Sequence, residues 1–430
     1  MSGRSAPATL LAVAFLGACA LGERGSIAPI EPPAAAAFER ALVERGALLA
    51  AAGNCRGCHT TREGRSFAGG VGIETPFGIV YSTNITPDSK TGIGAWPEAA
   101  FQRAMREGLD REGRHLYPAF PYDHFTLVTD EDNSALYAYL MTREPVSYRP
   151  PDNRLAFPFN IRAAIGVWKR LYFRAGPYRS DPAKSAAWNR GAYLAEGLGH
   201  CGSCHTPRNA LGAERKDRAY DGGEAEGWHA YAINERSQAA VPWTEDALLA
   251  YLRRGSHDRH GISRGPMAAV TSDLAEVRDD DVRAIAAYFA GLIGSRPGAG
   301  TQQRIADRSN SAMALYGQAC HGCHDGTQPL PFGGLPLERS IGVTGESPRN
   351  LVIVTMYGLP AAEGEAAPLM PGFAGAFSDR QLVDLAAALR ANLTGKPPWT
   401  DLEKIVREVR AAGPRLARHP AQAADPAGAH

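Results

Sequence analysis

The sequence carries almost no net charge, and beyond its N-terminus it has no long apolar run. Across 430 residues, 46 Lys and Arg are balanced by 45 Asp and Glu, and no basic patch with interleaved aromatic residues is present. This balance argues against nucleic acid binding. Because no uncharged apolar stretch after the N-terminus is long enough, the sequence predicts no membrane-spanning helix there.

The sequence also has no recognisable group of catalytic residues and only seven cysteines. We find no nucleophile–base pair, carboxylate dyad or isolated metal cluster, and so expect no catalytic substrate site in this chain. The seven cysteines are Cys19 and three pairs, Cys55/Cys58, Cys201/Cys204 and Cys320/Cys323. In an exported protein six such cysteines would first indicate disulfides. Here a histidine directly follows each pair, which indicates a different chemistry.

Residues 1–22 have the pattern of an export signal, with Arg4, an apolar run at 10–18 and then small residues. Two kinds of processing remain open. Residues 16–19 resemble a bacterial lipobox, in which Cys19 would become the lipidated N-terminus. The run from Ala18 to Ala20 also fits ordinary signal peptidase cleavage. We favour lipidation, which would attach the protein to a membrane surface through Cys19.

The three cysteine pairs belong to complete C-x-x-C-H motifs, the signature of c-type haem attachment. They read Cys55-Arg56-Gly57-Cys58-His59, Cys201-Gly202-Ser203-Cys204-His205 and Cys320-His321-Gly322-Cys323-His324. Two thiols three positions apart can bond to one porphyrin, while the adjacent histidine becomes a ligand of its iron. Structural zinc would need four ligands, and no second pair lies beside any motif. The sequence therefore predicts three covalently bound haem c groups with His59, His205 and His324 as proximal iron ligands.

Similar helices flank the motifs. An Arg-Gly-Ala pattern begins at Arg45 and again at Arg190, and the sequence Leu-Tyr-Gly at 315–317 echoes it before the third motif. Downstream helices are predicted to begin after Thr129 and Ser378, since Thr129/Asp132 and Ser378/Gln381 have the spacing of helix caps. The fold class is thus all-α, with three tandem cytochrome c-like domains preceded by a signal peptide. The predicted segments are a signal peptide at 1–22, domain 1 at 35–145, a Pro- and aromatic-rich connector at 146–179, domain 2 at 180–296, domain 3 at 297–399, and an amphipathic and then disordered tail at 400–430.

A common register indicates the sixth iron ligands. Gly108, Gly255 and Gly358 each mark a predicted helix end. Twelve positions beyond Gly255 lies Met267, and twelve beyond Gly358 lies Met370. A methionine sulfur can complete the coordination of haem iron. Both residues could instead fill gaps in a core, but their shared register beside proline and glycine favours ligation.

In the first repeat the same spacing reaches Phe120, which cannot bind iron. His124, four positions on, is the predicted sixth ligand of haem 1. His115 is the runner-up, and a five-coordinate haem 1 remains the alternative. Met105 and Met141 are more easily explained as core residues.

Several segments carry a family resemblance, namely residues 75–78 (Thr-Pro-Phe-Gly), 81–88 and 204–208. Over nearly its whole mature length the chain resembles the membrane-associated triheme cytochrome c subunits of bacterial periplasmic dehydrogenases. The resemblance implies an electron-transfer subunit that passes electrons from a dehydrogenase catalytic subunit to ubiquinone or another respiratory acceptor. It also implies a location on the periplasmic side of the inner membrane, bound peripherally or through a lipid at Cys19.

The kind of partner is indicated by one departure from the family pattern. Members that serve alcohol, gluconate or fructose dehydrogenases usually read Pro-Ala-Met-Pro where this chain has Phe at position 120. The Phe120 form, with residues 222–228 and 241–244, is more similar to cytochromes that accompany molybdenum hydroxylases acting on nicotinate, isoquinoline or aldehydes. The alternatives are a quinoprotein alcohol or flavin-dependent sugar dehydrogenase partner, a multihaem peroxidase with an open haem 1, and a soluble shuttle.

Overall fold

The computed structural model describes residues 25–61, 64–294, 311–326, 334–359 and 369–417. The expected signal peptide, with Cys19, and the end of the predicted tail therefore lie outside the described residues. The chain divides into two compact units. One comprises the residues up to 185 together with 192–201, and the other comprises 186–191 together with the residues from 202 onward.

The structure is mostly helical. The α-helices are α1 Arg40–Ala52, α2 Cys55–His59, α3 Glu98–Glu107, α4 Tyr122–Phe125, α5 Asp130–Met141, α6 Ala164–Tyr172, α7 Ala186–Ala192, α8 Gly202–His205, α9 Glu245–Arg254, α10 Pro266–Leu274, α11 Asp279–Ile293, α12 Ser311–Ala319, α13 His321–His324, α14 Ile341–Thr344, α15 Arg349–Tyr357, α16 Asp379–Thr394 and α17 Leu402–Ala412. Short 3-10 helices lie at Ala35–Ala37, Lys216–Arg218, Leu337–Arg339 and Pro414–Ala417.

Small antiparallel ladders accompany the helices, and the all-α prediction did not include them. The strands are β1 Gly72–Thr75, β2 Gly78–Tyr81, β3 Arg154–Leu155, β4 Gly223–Ala225, β5 Trp228–Ala230, β6 Ser256–His257 and β7 Gly261–Ile262. They form one sheet in the order β1-β2-β3 and two hairpins, β4-β5 and β6-β7. Through β3 the predicted connector is hydrogen-bonded to the first unit, with Ile79 opposite Arg154.

In the first unit, α1 and α5 cross at a glycine. A Cβ atom on Gly46 would lie 2.0 Å from the carbonyl oxygen of Ala135 on α5, so only glycine allows the helices to approach this closely. Arg45 donates from Nε to Oδ1 of Asp132 at 2.8 Å beside the crossing. The hydroxyl of Thr129 accepts from the Asp132 backbone N–H and starts α5, which confirms the predicted cap.

The second unit repeats this crossing between α7 and α11. A Cβ atom on Gly191 would lie 1.9 Å from the carbonyl oxygen of Ala284. Arg190 donates from Nε to Oδ1 of Asp281 at 2.7 Å. The recurring Arg-Gly pattern is therefore explained by packing, because the glycine permits the crossing and the arginine pairs with an aspartate of the second helix.

One extra residue separates the glycine from the motif in the second repeat. Gly46 precedes Cys55 by nine positions, whereas Gly191 precedes Cys201 by ten. The chain accommodates the additional residue as a π-helical segment, Tyr193–Leu198, which continues α7. The Gly199 N–H donates to the Leu194 carbonyl at 2.7 Å, the five-residue spacing of a π-turn.

The third repeat builds its core from α12, α15, α16 and α17. The Ser378/Gln381 capping box at the start of α16 is present as predicted. The apolar face of α17 is buried, with Val406 and Val409 both 0% exposed. The Tyr357 hydroxyl donates to the Val409 carbonyl at 3.0 Å. This part of the predicted tail therefore packs on the third repeat.

None of the helices in the described part of the chain combines the length and the apolar character needed to cross a bilayer.

The three glycines used for the sequence register do end helices. The backbone N–H groups of Gly108, Gly255 and Gly358 each donate to the carbonyl four residues earlier. Positive φ angles of 62°, 68° and 71° explain why glycine occupies all three positions.

Candidate haem-binding sites

Each C-x-x-C-H motif lies on a short helical turn that follows a longer helix. The turn α2 contains the whole first motif, whereas Cys201 and Cys320 immediately precede α8 and α13. On a helical turn two residues three positions apart lie on the same face, so both thiols of a motif can reach one porphyrin edge. The six motif cysteines, all in described parts of the chain, form no disulfide with one another. The position of the motifs on these turns fits haem attachment.

The three motif histidines share one orientation. Their Nδ1 atoms lie within hydrogen-bond distance of backbone carbonyl oxygens: His59 and Thr83 at 2.6 Å, His205 and Tyr231 at 2.8 Å, and His324 and Leu335 at 2.8 Å. A carbonyl can only accept, so Nδ1 must carry the proton in each ring. That bond fixes the tautomer and leaves Nε2 as the nitrogen that would bind iron.

Burial favours the neutral form of two of these rings. Desolvation lowers the pKa of His59 and of His205, and in each the hydrogen bond to the backbone carbonyl offsets the effect only in part. An iron ligand must be unprotonated, so this direction of the pKa shift suits ligation. Burial also raises the pKa of the Cys204 thiol to about 11, so the unmodified thiol is neutral at physiological pH.

Glycines let the loops that follow the motifs approach the histidines. The Gly69 N–H donates to the His59 carbonyl at 2.8 Å. A Cβ atom on Gly69 would lie 2.3 Å from the carbonyl oxygen of Thr83, the acceptor that orients His59. Near the third motif, a Cβ atom on Gly334 would lie 2.5 Å from the His324 ring. A side chain at Gly69 would displace the carbonyl that orients His59, and one at Gly334 would overlap the His324 ring itself.

The two predicted methionine ligands lie beside glycines that fix the local backbone. Met370 pairs through its backbone with Leu359, and a Cβ atom on Gly358 would lie 2.4 Å from the Met370 carbonyl oxygen. Met267 is the second residue of α10 and follows Gly265, whose φ is +57°. A Cβ atom there would lie 2.6 Å from the indole nitrogen of Trp228.

In the first repeat, His124 lies on the short helix α4 and is 8% exposed. Its Nδ1 is 2.6 Å from the carbonyl oxygen of Glu196, the same arrangement that the three motif histidines show. Phe120 lies beside Phe125, with ring centroids 5.2 Å apart. His124 is thus oriented for binding through Nε2, like the motif histidines.

His115, the runner-up, lacks such an orienting bond. Its Nδ1 has no hydrogen-bond partner among the described residues. Burial, with Lys169 and Arg162 nearby, lowers its pKa to about 4. Met105 and Met141 are 6% and 2% exposed, respectively, which confirms them as core residues.

Sequence reasoning missed the backbone carbonyls of Thr83, Tyr231, Leu335 and Glu196 that orient the histidines. Every residue has a carbonyl, so no residue type marks these positions. The one available signal was the extra residue between Gly191 and Cys201, which is the reason for the π-helical segment that contains Glu196.

Comparison with known proteins agrees with this geometry. The Cytochrome c family matches residues 43–144. A nicotinate dehydrogenase subunit of Pseudomonas putida is 46% identical over 92% of this chain, and the chain spans about a third (34%) of that longer protein. The fructose dehydrogenase cytochrome subunit of Gluconobacter japonicus is 35% identical, with 90% of this chain and 86% of that protein aligned.

The gluconate 2-dehydrogenase cytochrome c subunit of Pantoea cypripedii is 34% identical, over 86% of this chain and 90% of that protein. The similarities to the fructose and gluconate proteins extend over nearly the full length of both chains, and the C-x-x-C-H turns carry the geometry that covalent haem c requires. The chain therefore belongs to the family of electron-transferring cytochrome c subunits of dehydrogenases.

Proposed function

We propose that this chain is a triheme subunit that takes electrons from a molybdenum hydroxylase and passes them to ubiquinone or another respiratory acceptor. The observation that carries the proposal is the threefold site, in which three C-x-x-C-H turns each have the histidine Nδ1 bonded to a backbone carbonyl. Each haem iron, when bound, would carry one electron by changing between the ferric and ferrous states. The catalytic centre belongs to the partner.

The protein's own residues hold and tune the haems. The cysteine pairs would anchor each porphyrin, and His59, His205 and His324 would bind its iron. We propose Met267 and Met370 as sixth ligands in the second and third repeats, and His124 in the first. Ligand identity and burial are the means by which a protein sets haem potential.

The molybdenum hydroxylase assignment rests on Phe120 and on the similarity to a nicotinate dehydrogenase subunit. A second candidate is a subunit of an alcohol or sugar dehydrogenase. The relatives named for fructose and gluconate dehydrogenases favour it, because this chain spans 86% or more of each of them. In both cases we propose a location on the periplasmic side of the inner membrane, following export directed by residues 1–22.

Deletion of the gene distinguishes the two candidates. We expect the deletion to abolish respiration-linked oxidation of an aldehyde or an N-heteroaromatic substrate, while ethanol respiration survives. Complementation with the wild-type chain should restore oxidation. A matched chain with Cys201→Ala and Cys204→Ala should not, because it loses one haem. Loss of ethanol respiration alone would favour the alcohol dehydrogenase partner instead.

A further inference from the structure

The connector between the first two repeats exposes an unusual number of large apolar side chains. Among the described residues seven large hydrophobic side chains are exposed, and five of them lie between positions 157 and 171. We call these five the connector patch; they are Phe157 (79% exposed), Phe159 (38%), Ile161 (36%), Val167 (43%) and Leu171 (61%). Scattered exposed apolar residues are ordinary, whereas a concentration of them in one fifteen-residue stretch points to an interaction surface.

The face of α6 that lies opposite Val167 and Leu171 packs on the first unit, and this packing holds the connector patch in place. Lys169 is buried there, and its Nζ donates to the carbonyls of Glu107 and Gly108 at 2.6 Å each. Trp168 makes an edge-on contact with Tyr122 of the first unit, at 6.4 Å between ring centroids. Since α6 is anchored on one side, Val167 and Leu171, four positions apart, point outward together.

The segment before α6 is anchored in the same way. Phe159 packs against Phe77, with ring centroids 4.3 Å apart. Arg162 donates to the His115 carbonyl at 2.8 Å. The connector patch is therefore exposed although its segment packs against the rest of the first unit through several contacts.

The connector that carries this patch is basic. Residues 146–179 contain seven Lys and Arg and one acidic residue, Asp152, although the whole chain is almost neutral. Arg154, Arg170, Arg174 and Arg179 are exposed. Apolar and aromatic side chains bordered by arginines are typical of helices that lie in the interface of an anionic bilayer.

We propose that the connector patch binds the surface of an anionic phospholipid bilayer. The apolar side chains enter the boundary between headgroups and acyl chains, while the exposed arginines contact lipid phosphates. With nine residues, α6 is too short to span the bilayer and lies along its surface. The inference deepens the proposed membrane location, and it requires no lipid at Cys19.

Vesicle flotation with the full haem-loaded chain tests this inference. Residues 1–22 are replaced by a non-lipidated export signal, so that a lipid at Cys19 cannot mask the effect. We expect binding to vesicles of phosphatidylcholine with phosphatidylglycerol, weaker binding to phosphatidylcholine alone, and partial release at high salt. A variant with Phe157→Ser, Val167→Ser and Leu171→Ser should lose binding.

A matched control changes exposed apolar residues elsewhere, Ile30→Ser and Leu211→Ser, which are 41% and 47% exposed in the wild type. The control should bind like the wild type. Absence of binding by the wild type, or equal loss in the control, overturns the inference. So does a connector variant that still binds vesicles but no longer co-purifies with the dehydrogenase, because the patch would then contact protein. Failure of the proposed function would appear separately, as haems that the dehydrogenase does not reduce.

Discussion

At the scale of single residues, main-chain carbonyls determine which ring nitrogen of each histidine is available to bind a metal. His59, His124, His205 and His324 each have Nδ1 within 2.8 Å of a backbone carbonyl oxygen. Three of them belong to the C-x-x-C-H motifs, so the shared arrangement supports the proposal that His124 is an iron ligand. His115, which is similarly buried, has no bond of this kind among the described residues.

Changing His124 to Ala tests this assignment. Low-temperature electron paramagnetic resonance of the wild type should show one bis-His haem and two Met/His haems. The bis-His haem should have the lowest potential, because methionine ligation raises the potential of haem iron. In the His124→Ala variant the first signal should become high-spin, and the other two should not change.

His115→Ala serves as the matched control and should leave all three signals intact. A high-spin haem in the wild type would instead support an open site. A loss of the bis-His signal in the His115 variant alone would make His115 the ligand.

A second residue-scale prediction concerns His229, which is bonded to Glu346 at 2.8 Å and to Glu224 at 3.3 Å. Burial alone would lower the pKa of His229, but the two carboxylates outweigh it and raise the pKa to about 9. A group whose pKa is raised on folding stabilises the protein fully below its unfolded pKa of about 6.5. This stabilisation is lost as the pH rises through about 9.

The measurement is the thermal midpoint of the wild type and of His229→Gln from pH 6 to pH 10. The wild type should have the higher midpoint at pH 6, and the difference should disappear above pH 9. A difference that is constant over this range would show that the charge of His229 contributes nothing. As a control, Asn350→Ala removes the neighbouring amide, which accepts from the His229 N–H, and should shift the midpoint without this pH dependence.

At the scale of elements, close helix crossings explain the repeated glycines. Gly46→Ala should destabilise the protein by about 1–3 kcal/mol, since the added methyl group overlaps the Ala135 carbonyl. Gly317→Ala on α12 is the matched control, because a Cβ atom there meets nothing within 4 Å. It should stabilise by about 0.4–1 kcal/mol through the loss of chain entropy in the unfolded state.

Denaturant unfolding of the haem-loaded chain measures both changes. The two substitutions should change the free energy of unfolding in opposite directions. A Gly46→Ala protein as stable as the wild type would contradict the close helix crossing.

The π-helical segment Tyr193–Leu198 belongs to the same scale. Its extra residue is visible in the spacing, but only packing decides whether such a residue becomes a π-turn, a bulge or a longer loop.

At the scale of the whole molecule, the haem count is the central prediction. Intact-mass measurement after denaturation should give the polypeptide plus three haem masses, because thioether bonds survive unfolding. A variant with Cys320→Ser and Cys323→Ser should carry two. Two or fewer haems on fully matured wild-type protein would contradict the threefold architecture, while three haems in the Cys320/Cys323 variant would show that the third motif is not an attachment site.

The sequence alone determined the chemistry and the helical repeat. The C-x-x-C-H spacing, the caps at Thr129 and Ser378, and the helix-ending glycines are local patterns, and local patterns depend on neighbours in the chain. Tertiary structure decided what depends on distant groups. It selected the carbonyls that orient His59 and His124, buried the apolar face of α17, and left Phe157 and Leu171 exposed. Burial and long-range hydrogen bonds arise only when separate segments meet. The residue type does not indicate which backbone oxygen will accept the hydrogen bond of a histidine.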